Sequence, residues 1–336
     1  MKTLFICLSA IGDTVMALPA ICEYIKINNL KDVHILTRNK EWEQIFFLNK
    51  DFKDLNYKFY YTTTSKLYLN LPLISVLRKE KYNVAICLYP HKGIASALFM
   101  FLIGAGQRIQ HAYRFKFFNN INWFLTSKVE YRYEHNLFNN ERLLEITRQL
   151  SYNCLGIEKH GKKSNEIKEK VIGIHAGCGQ NQYWRRWPVE NWARLINLIL
   201  ENTGYSITMF WGPDELDLFY KYFRQKDNRI THIINSSLTE TINLIANCDF
   251  FISNDSGLAH IASLFEIKQV TIFGPADEHI SGPINKYGKI IRPFNSKPDY
   301  LHYKKYKQPK KNILNDLSVQ DVYFVFLEMI DYKTGE

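Results

Sequence analysis

Short apolar runs alternate with stretches of helical spacing along most of the chain. Residues 3–8 form an unbroken apolar run, the pattern of a strand buried on both faces. After the polar turn Ser9-Ala10-Ile11-Gly12-Asp13, Val15, Met16, Ala20, Ile21 and Ile25 recur at the spacing of a helix's inner face, with Pro19 expected to distort its first turns. The same reading predicts strands at 33–36, 57–61 and 83–88, and helices at 42–48, 67–77 and 93–103. A second alternation starts at Val171. It predicts strands at 171–174, 206–210, 230–234, 249–252 and 269–273, with helices at 189–203, 214–225, 238–246 and 256–265. Strands separated by helices imply parallel sheets with crossover connections.

Other stretches break that rhythm. Residues 107–133 mix Arg108, Arg114, Lys116, Lys128 and Arg132 with Phe115, Phe117, Phe118, Trp123, Phe124 and Tyr131. A long polar helix is expected at 134–152, and the lysine-rich 155–169 is the best linker candidate. A basic aromatic segment at 287–312 precedes a final helix at 318–330. The domains expected are 1–160 and 161–315, each α/β and facing one cleft, followed by 316–336.

At 336 residues and 46% hydrophobic content, the chain can bury a large core, and no run of eighteen apolar residues suggests a membrane span. The N-terminus has an apolar run, but Gly12-Asp13 cuts it short, so it reads as a first strand rather than a leader. Six scattered cysteines without Cys-x-x-Cys read as reduced core residues of a cytoplasmic protein. The formal charge of +10 favours an anionic partner, which could be nucleic acid, a membrane surface or a phosphorylated substrate.

Candidate chemistry sits at strand-to-helix turns. In Ser253-Asn254-Asp255-Ser256-Gly257-Leu258-Ala259-His260, either Asp255 or Ser256 is placed to cap the helix. Its N–H groups and positive end suit a diphosphate, Gly257 allows close backbone approach, and His260 lies one turn on. Asp13 could serve as a base or as a plain helix cap. Arg185 and Arg186 precede the helix near Pro188, where a cation would stabilise a leaving phosphate; a solvated basic loop is the alternative. Glu215 is either a ribose acceptor or a first-turn helix acid. There is no Asp-x-Asp, so a metal-bridged diphosphate site has no support, and no Gly-x-Gly-x-x-Gly follows the first strand, which argues against a nicotinamide dehydrogenase.

Four segments in order resemble glycosyltransferase family 9, the lipopolysaccharide core heptosyltransferases. They are Ser9-Ala10-Ile11-Gly12-Asp13-Thr14-Val15 with Leu18-Pro19-Ala20; Gly173-Ile174-His175-Ala176-Gly177 with Arg185-Arg186-Trp187-Pro188 and Trp192; Trp211-Gly212-Pro213-Asp214-Glu215; and Asn254–His260 with Phe273-Gly274-Pro275-Ala276-Asp277 and Gly282-Pro283. The resemblance implies a GT-B enzyme of two Rossmann-like domains, acceptor bound by the first and nucleotide-sugar by the second, with the final helix packing back on the first. It implies inverting transfer of a heptose from an ADP-sugar, with no cofactor or metal. Asp13 would be the base and Arg185 would act at the leaving group. Arg186, Glu215, Asp255, Ser256, Gly257 and His260 would bind the nucleotide-sugar. Ser9, Gly12, Arg108 and Arg114 would lie on the acceptor side. The implied acceptor is an anionic lipid A-type core at the inner face of the inner membrane, so 107–133 is read as a lipid-facing surface and nucleic acid is not expected. Where the family commonly has Lys this chain has Arg185, and the loop Cys178-Gly179-Gln180-Asn181-Gln182 also departs from the pattern. The family's cysteine-containing segment near the C-terminus is not recognisable. A relative using another nucleotide-sugar, or a non-catalytic nucleotide- or nucleic-acid-binding protein, are the alternatives.

Overall fold

A computed structural model describes residues 1–64, 66–88, 93–112, 123–130, 132, 134–144, 170–223, 227–265, 267–298 and 312–331. The chain divides into two compact units, Met1–Ile157 and Glu158–Glu336. The expected linker at 155–169 lies outside the described residues.

The first unit runs β1 (Lys2–Cys7), α1 (Ile11–Ile27), β2 (Asp32–Thr37), α2 (Glu43–Phe46), β3 (Asn56–Tyr61), α3 (Leu71–Lys79), β4 (Val84–Cys87), α4 (Ile94–Leu102), β5 (Gln107–Ala112), β6 (Ser127–Glu130) and α5 (Asn136–Leu143). Its six strands are parallel, in the order β3-β2-β1-β4-β5-β6. Leu4, Phe5 and Ile6 of β1 are fully buried because helices cover both faces, so the strand needs apolar residues on both sides. α1 continues through Pro19 to Ile27 and keeps Pro19 buried. The predicted helix at 67–77 is split in two, a 3-10 turn at Leu67–Leu69 and then α3, whose start is capped by Asn70. The polar helix begins at Asn136, and residues 145–152 of its expected span lie outside the described residues.

The second unit runs β7 (Val171–His175), α6 (Val189–Asn202), β8 (Ser206–Trp211), α7 (Leu216–Tyr222), β9 (Ile230–Ile234), α8 (Leu238–Ala246), β10 (Phe250–Asn254), α9 (Gly257–Ser263), β11 (Lys268–Ile272), α10 (Glu278–Ser281), β12 (Gly288–Ile291) and α11 (Val319–Asp331). Its parallel order, β12-β11-β10-β7-β8-β9, repeats that of the first unit. In each sheet the chain builds outward from a central pair, β1/β4 or β7/β10, where the strand order reverses. Ligands of open α/β sheets bind beyond the carboxyl ends of such a pair.

Strands appear where the pattern gave none: β5 and β6 lie inside 107–133, and β12 lies in the basic tail. Within the second unit, the apolar face of α11 is buried, packed on α6 and β11. Phe326 is fully buried there, edge-on to Phe250 at 5.0 Å and near Tyr205 at 6.0 Å. Phe326→Ala should therefore lower the unfolding free energy of the second unit by about 3–5 kcal/mol in a denaturant titration. A loss within a few tenths would mean that α11 does not contribute to that core.

Candidate functional site

At the carboxyl end of the central pair of the second unit, Ser253 of β10 is in register with His175 of β7. Ser256 takes the N-cap position of α9 without a side-chain cap bond. Its Oγ instead lies 2.9 Å from His175 Nδ1, and both residues are buried. Burial pushes the His175 pKa down to about 4, and the charge of Arg186 adds to the effect, so the ring is neutral. The alternative cap, Asp255, donates its backbone N–H to Ile272 O at 3.0 Å. Asp255 is itself buried and its Oδ2 pairs with Arg185 Nη1 at 3.1 Å. Desolvation raises its pKa, and Arg185 opposes that rise. His260 is buried on α9 one turn beyond Ser256, and Gly257 opens the helix.

Adjacent arginines are used differently. Arg186 Nη2 donates to Cys178 O at 2.7 Å and to Asp214 O at 3.3 Å, and it lies 3.6 Å from Glu215 Oε1. It thus ties the loop after β7 to the turn after β8. Glu215 is buried, and its Oε2 accepts the Gly212 N–H at 2.9 Å, the reciprocal half of a capping box. Desolvation raises its pKa, and Arg186 works against the rise. A Cβ at Gly177 would lie 2.3–2.5 Å from the Glu215 side chain, so only glycine permits this approach. Sequence reasoning passed over Asn254. Its fully buried amide donates to Ala176 O at 2.6 Å and accepts the Trp187 N–H at 3.0 Å, joining β10 to the loops that carry the arginines. Its place inside the Asn-Asp-Ser-Gly block was the available signal. Trp187 and Trp192 stack edge-to-face at 5.3 Å in the core.

In the first unit, Ser9, Gly12 and Asp13 follow the carboxyl end of β1. Ser9 Oγ and the Ala10 N–H both donate to Asp13 Oδ2. Asp13 is half-buried in the first turn of α1 and its carboxylate is fixed by the turn it terminates. Arg108 is not brought to this end. It pairs with Ala85, which is level with Leu4 near the start of β1. Its guanidinium donates to Phe124 O and Ala105 O, each at 2.6 Å. Without β5 in view, sequence could not place Arg108 along the sheet. Arg114 lies outside the described residues. Among the described residues, no three His, Cys, Asp or Glu side chains converge as metal ligands would.

The family model described as glycosyltransferase family 9 (heptosyltransferase) matches residues 71–311. Lipopolysaccharide heptosyltransferase 1 of Salmonella typhimurium is 26% identical over 172 residues, 47% of this chain and 52% of the relative. The chain thus spans about half the length of that relative. Lipooligosaccharide heptosyltransferase 2 of Campylobacter jejuni is 24% identical over 307 residues, covering 84% of this chain and 83% of the relative. Among solved structures, a glycosyl transferase family 9 protein from Veillonella parvula superposes with a TM-score of 0.76 at 18% identity, covering 98% of this chain and 97% of that one. E. coli heptosyltransferase WaaC with ADP gives 0.67 at 17% identity, covering 98% and 100%. These likenesses establish the GT-B fold.

The buried histidine makes stability depend on pH. Between its ordinary pKa of 6.5 and its folded value of about 4, the unfolded chain binds a proton that the folded chain refuses. Stability is therefore lost as pH falls through that window. His175→Asn removes this contribution, so the wild-type advantage in urea unfolding should shrink by about 2 kcal/mol from pH 7 to pH 5. A difference that does not change with pH would show that His175 titrates normally.

Proposed function

The chain belongs to glycosyltransferase family 9, the heptosyltransferase family, and from that premise we propose that it moves a heptose from ADP-L-glycero-D-manno-heptose to a hydroxyl of the lipopolysaccharide inner core. The reading places it at the inner face of the inner membrane, where a lipid A-type acceptor is reached. What carries the reading is the cluster beyond β7 and β10: a helix start with no acid in its first turn, a hydroxyl at Ser256 and a guanidinium at Arg185. Such a cluster suits a diphosphate. The E. coli neighbours solved with ADP and with ADP-2-deoxy-2-fluoro heptose support the choice of donor.

Transfer with inversion takes one displacement. The acceptor oxygen bonds to the anomeric carbon while the bond to the diphosphate oxygen breaks, and the acceptor proton goes to a base. Asp13 is the proposed base, a carboxylate held by Ser9 and Ala10 at the end of β1. Arg185 is the proposed partner of the departing ADP oxygens, whose charge grows as the bond lengthens. Asp255 orients Arg185, and His260 and Gly257 border the phosphates. Arg186 and Glu215 shape the nucleotide loop through the contacts they make with Cys178, Asp214 and Gly212. No metal is assigned a part, so turnover should survive a chelator.

Calorimetry and steady-state turnover test this reading. ADP should bind and UDP should not. Asp13→Asn should retain ADP affinity and lose turnover by about a hundredfold or more. Arg185→Ala should weaken ADP by roughly ten- to a hundredfold, the scale of one charged hydrogen bond, while Arg186→Ala should cost folding stability first. Tight UDP binding without ADP binding would reassign the donor to another nucleotide-sugar. Unchanged turnover in Asp13→Asn would remove the base, and ADP binding without any transfer would favour a binding protein.

A further inference from the structure

α4 has the sequence Ile-Ala-Ser-Ala-Leu-Phe-Met-Phe-Leu, without a charge on any side. A helix apolar all round is ordinarily buried all round. Here Phe99 and Met100 enter the core of the first unit and Ala97 is buried, while along the opposite stripe, spaced i, i+4, i+7, Ile94 and Phe101 are exposed and Leu98 is half-buried. Ile94 is 44% exposed and Phe101 48%. The flanking elements continue this surface. The turn at Leu67–Leu69 packs beside α4 and exposes Leu69, and α3 exposes Leu71. Phe124 meets the Phe101 ring edge-on at 5.5 Å, and its neighbour Trp123 is 79% exposed.

Cations border this face. The Arg108 guanidinium lies 5.7 Å over the Phe101 ring. Arg78 reaches Leu102 O at 3.4 Å, at the end of α4, and Lys79 is exposed beside it. From Leu55 to Val129 the sequence holds ten Lys and Arg and one acid, Glu80, so this stretch carries nearly all of the chain's formal +10. Glu80 is already engaged by Lys2 and Lys58. At nine residues, about 14 Å, α4 cannot cross a hydrocarbon layer of about 30 Å. No helix among the described residues is long and apolar enough to do so. An apolar stripe with an exposed Trp and a surround of Lys and Arg suits the boundary between anionic headgroups and acyl chains.

We propose that the outward face of α4, with Leu69, Leu71 and Trp123, docks the protein on an anionic lipid bilayer. The proposal deepens the acceptor reading, since a lipid-borne acceptor lies in such a surface, and it moves the contact from the 107–133 segment alone to a helix that precedes it. The test is co-sedimentation of the full chain with vesicles of phosphatidylcholine, with and without phosphatidylglycerol. Binding should require phosphatidylglycerol and weaken as salt is raised. Ile94→Ser with Phe101→Ser should weaken it by about tenfold or more while ADP affinity and circular dichroism stay unchanged. Should that pair fail to fold, Arg78→Gln with Lys79→Gln should reduce binding and flatten its salt dependence. Absence of wild-type binding to the anionic vesicles, or variants that bind as the wild type does, would overturn the proposal. So would a wild-type dimer in sedimentation velocity that the serine pair converts to monomer, because the face would then belong to a second copy. Turnover is not read, so failure here leaves the Asp13 and ADP results standing, and their failure leaves this one.

Discussion

A strand in a parallel sheet can reach its neighbour only by crossing over a face of that sheet, and the crossover has one hand. Everything at the candidate site follows from this constraint. When the sheet grows outward from a central pair, the connections leave the two central strands toward opposite faces and a crevice opens between them. The strands themselves are covered on both sides, so their middles are apolar, as Ile174 and Ile252 are. Polar residues gather where the strands end. His175, Asn254, Asp255 and Ser256 are all buried, and hydrogen bonds or an ion pair within that cluster hold them.

Asn254 shows how narrow the tolerance is. Its single amide serves a carbonyl of the loop after β7 and an N–H of the segment carrying the arginines. An apolar residue there would strand both groups, at a cost of roughly 1–3 kcal/mol each. The neighbouring arginines have different partners. Arg186 is committed to two carbonyls and a carboxylate. Arg185 has its carboxylate in Asp255, a buried residue whose charge desolvation penalises. A diphosphate beside that pair would compete for the same guanidinium and would bring more charge to it, which is how a resting ion pair becomes a phosphate contact.

Much of the fold was legible in the sequence because buried parallel strands advertise themselves: the strands at 171–174, 230–234 and 249–252 fall within a residue or two of β7, β9 and β10. The helix at 238–246 has the bounds expected of it, set by the Ser237 cap. β5 was illegible for a physical reason. It buries Gln110 and His111, and these are paid for by tertiary partners: Ser96 and Gly93 for the amide, Val129 and Asn139 for the imidazole. Periodicity reads such residues as surface. β12 is an edge strand with Gly288, Lys289 and Ile290 exposed, so it carries no buried pattern at all. Within the site, sequence set Arg185 and Arg186 side by side without showing their partners: the turn after β8 engages Arg186, and Asp255 engages Arg185.

Two units with one strand order differ at the same topological position in the charge carried by the first helical turn. α1 carries Asp13 in its first turn, so the positive end of the helix is answered from within the chain and the site presents a carboxylate. α9 has no acid in its first turn, and the hydroxyl of its N-cap turns to His175 rather than to the helix N–H groups. Had His175 been charged, it would stand as a second cation beside the arginines; burial keeps it neutral and leaves it to orient Ser256. The acid before α9, Asp255, lies outside the helix and is answered by Arg185 instead. One fold thus presents a carboxylate in the first helical turn of one unit and, in the other, an acid that stands before the helix and is paired with Arg185. The difference rests on whether the carboxylate stands inside the first turn or just before it.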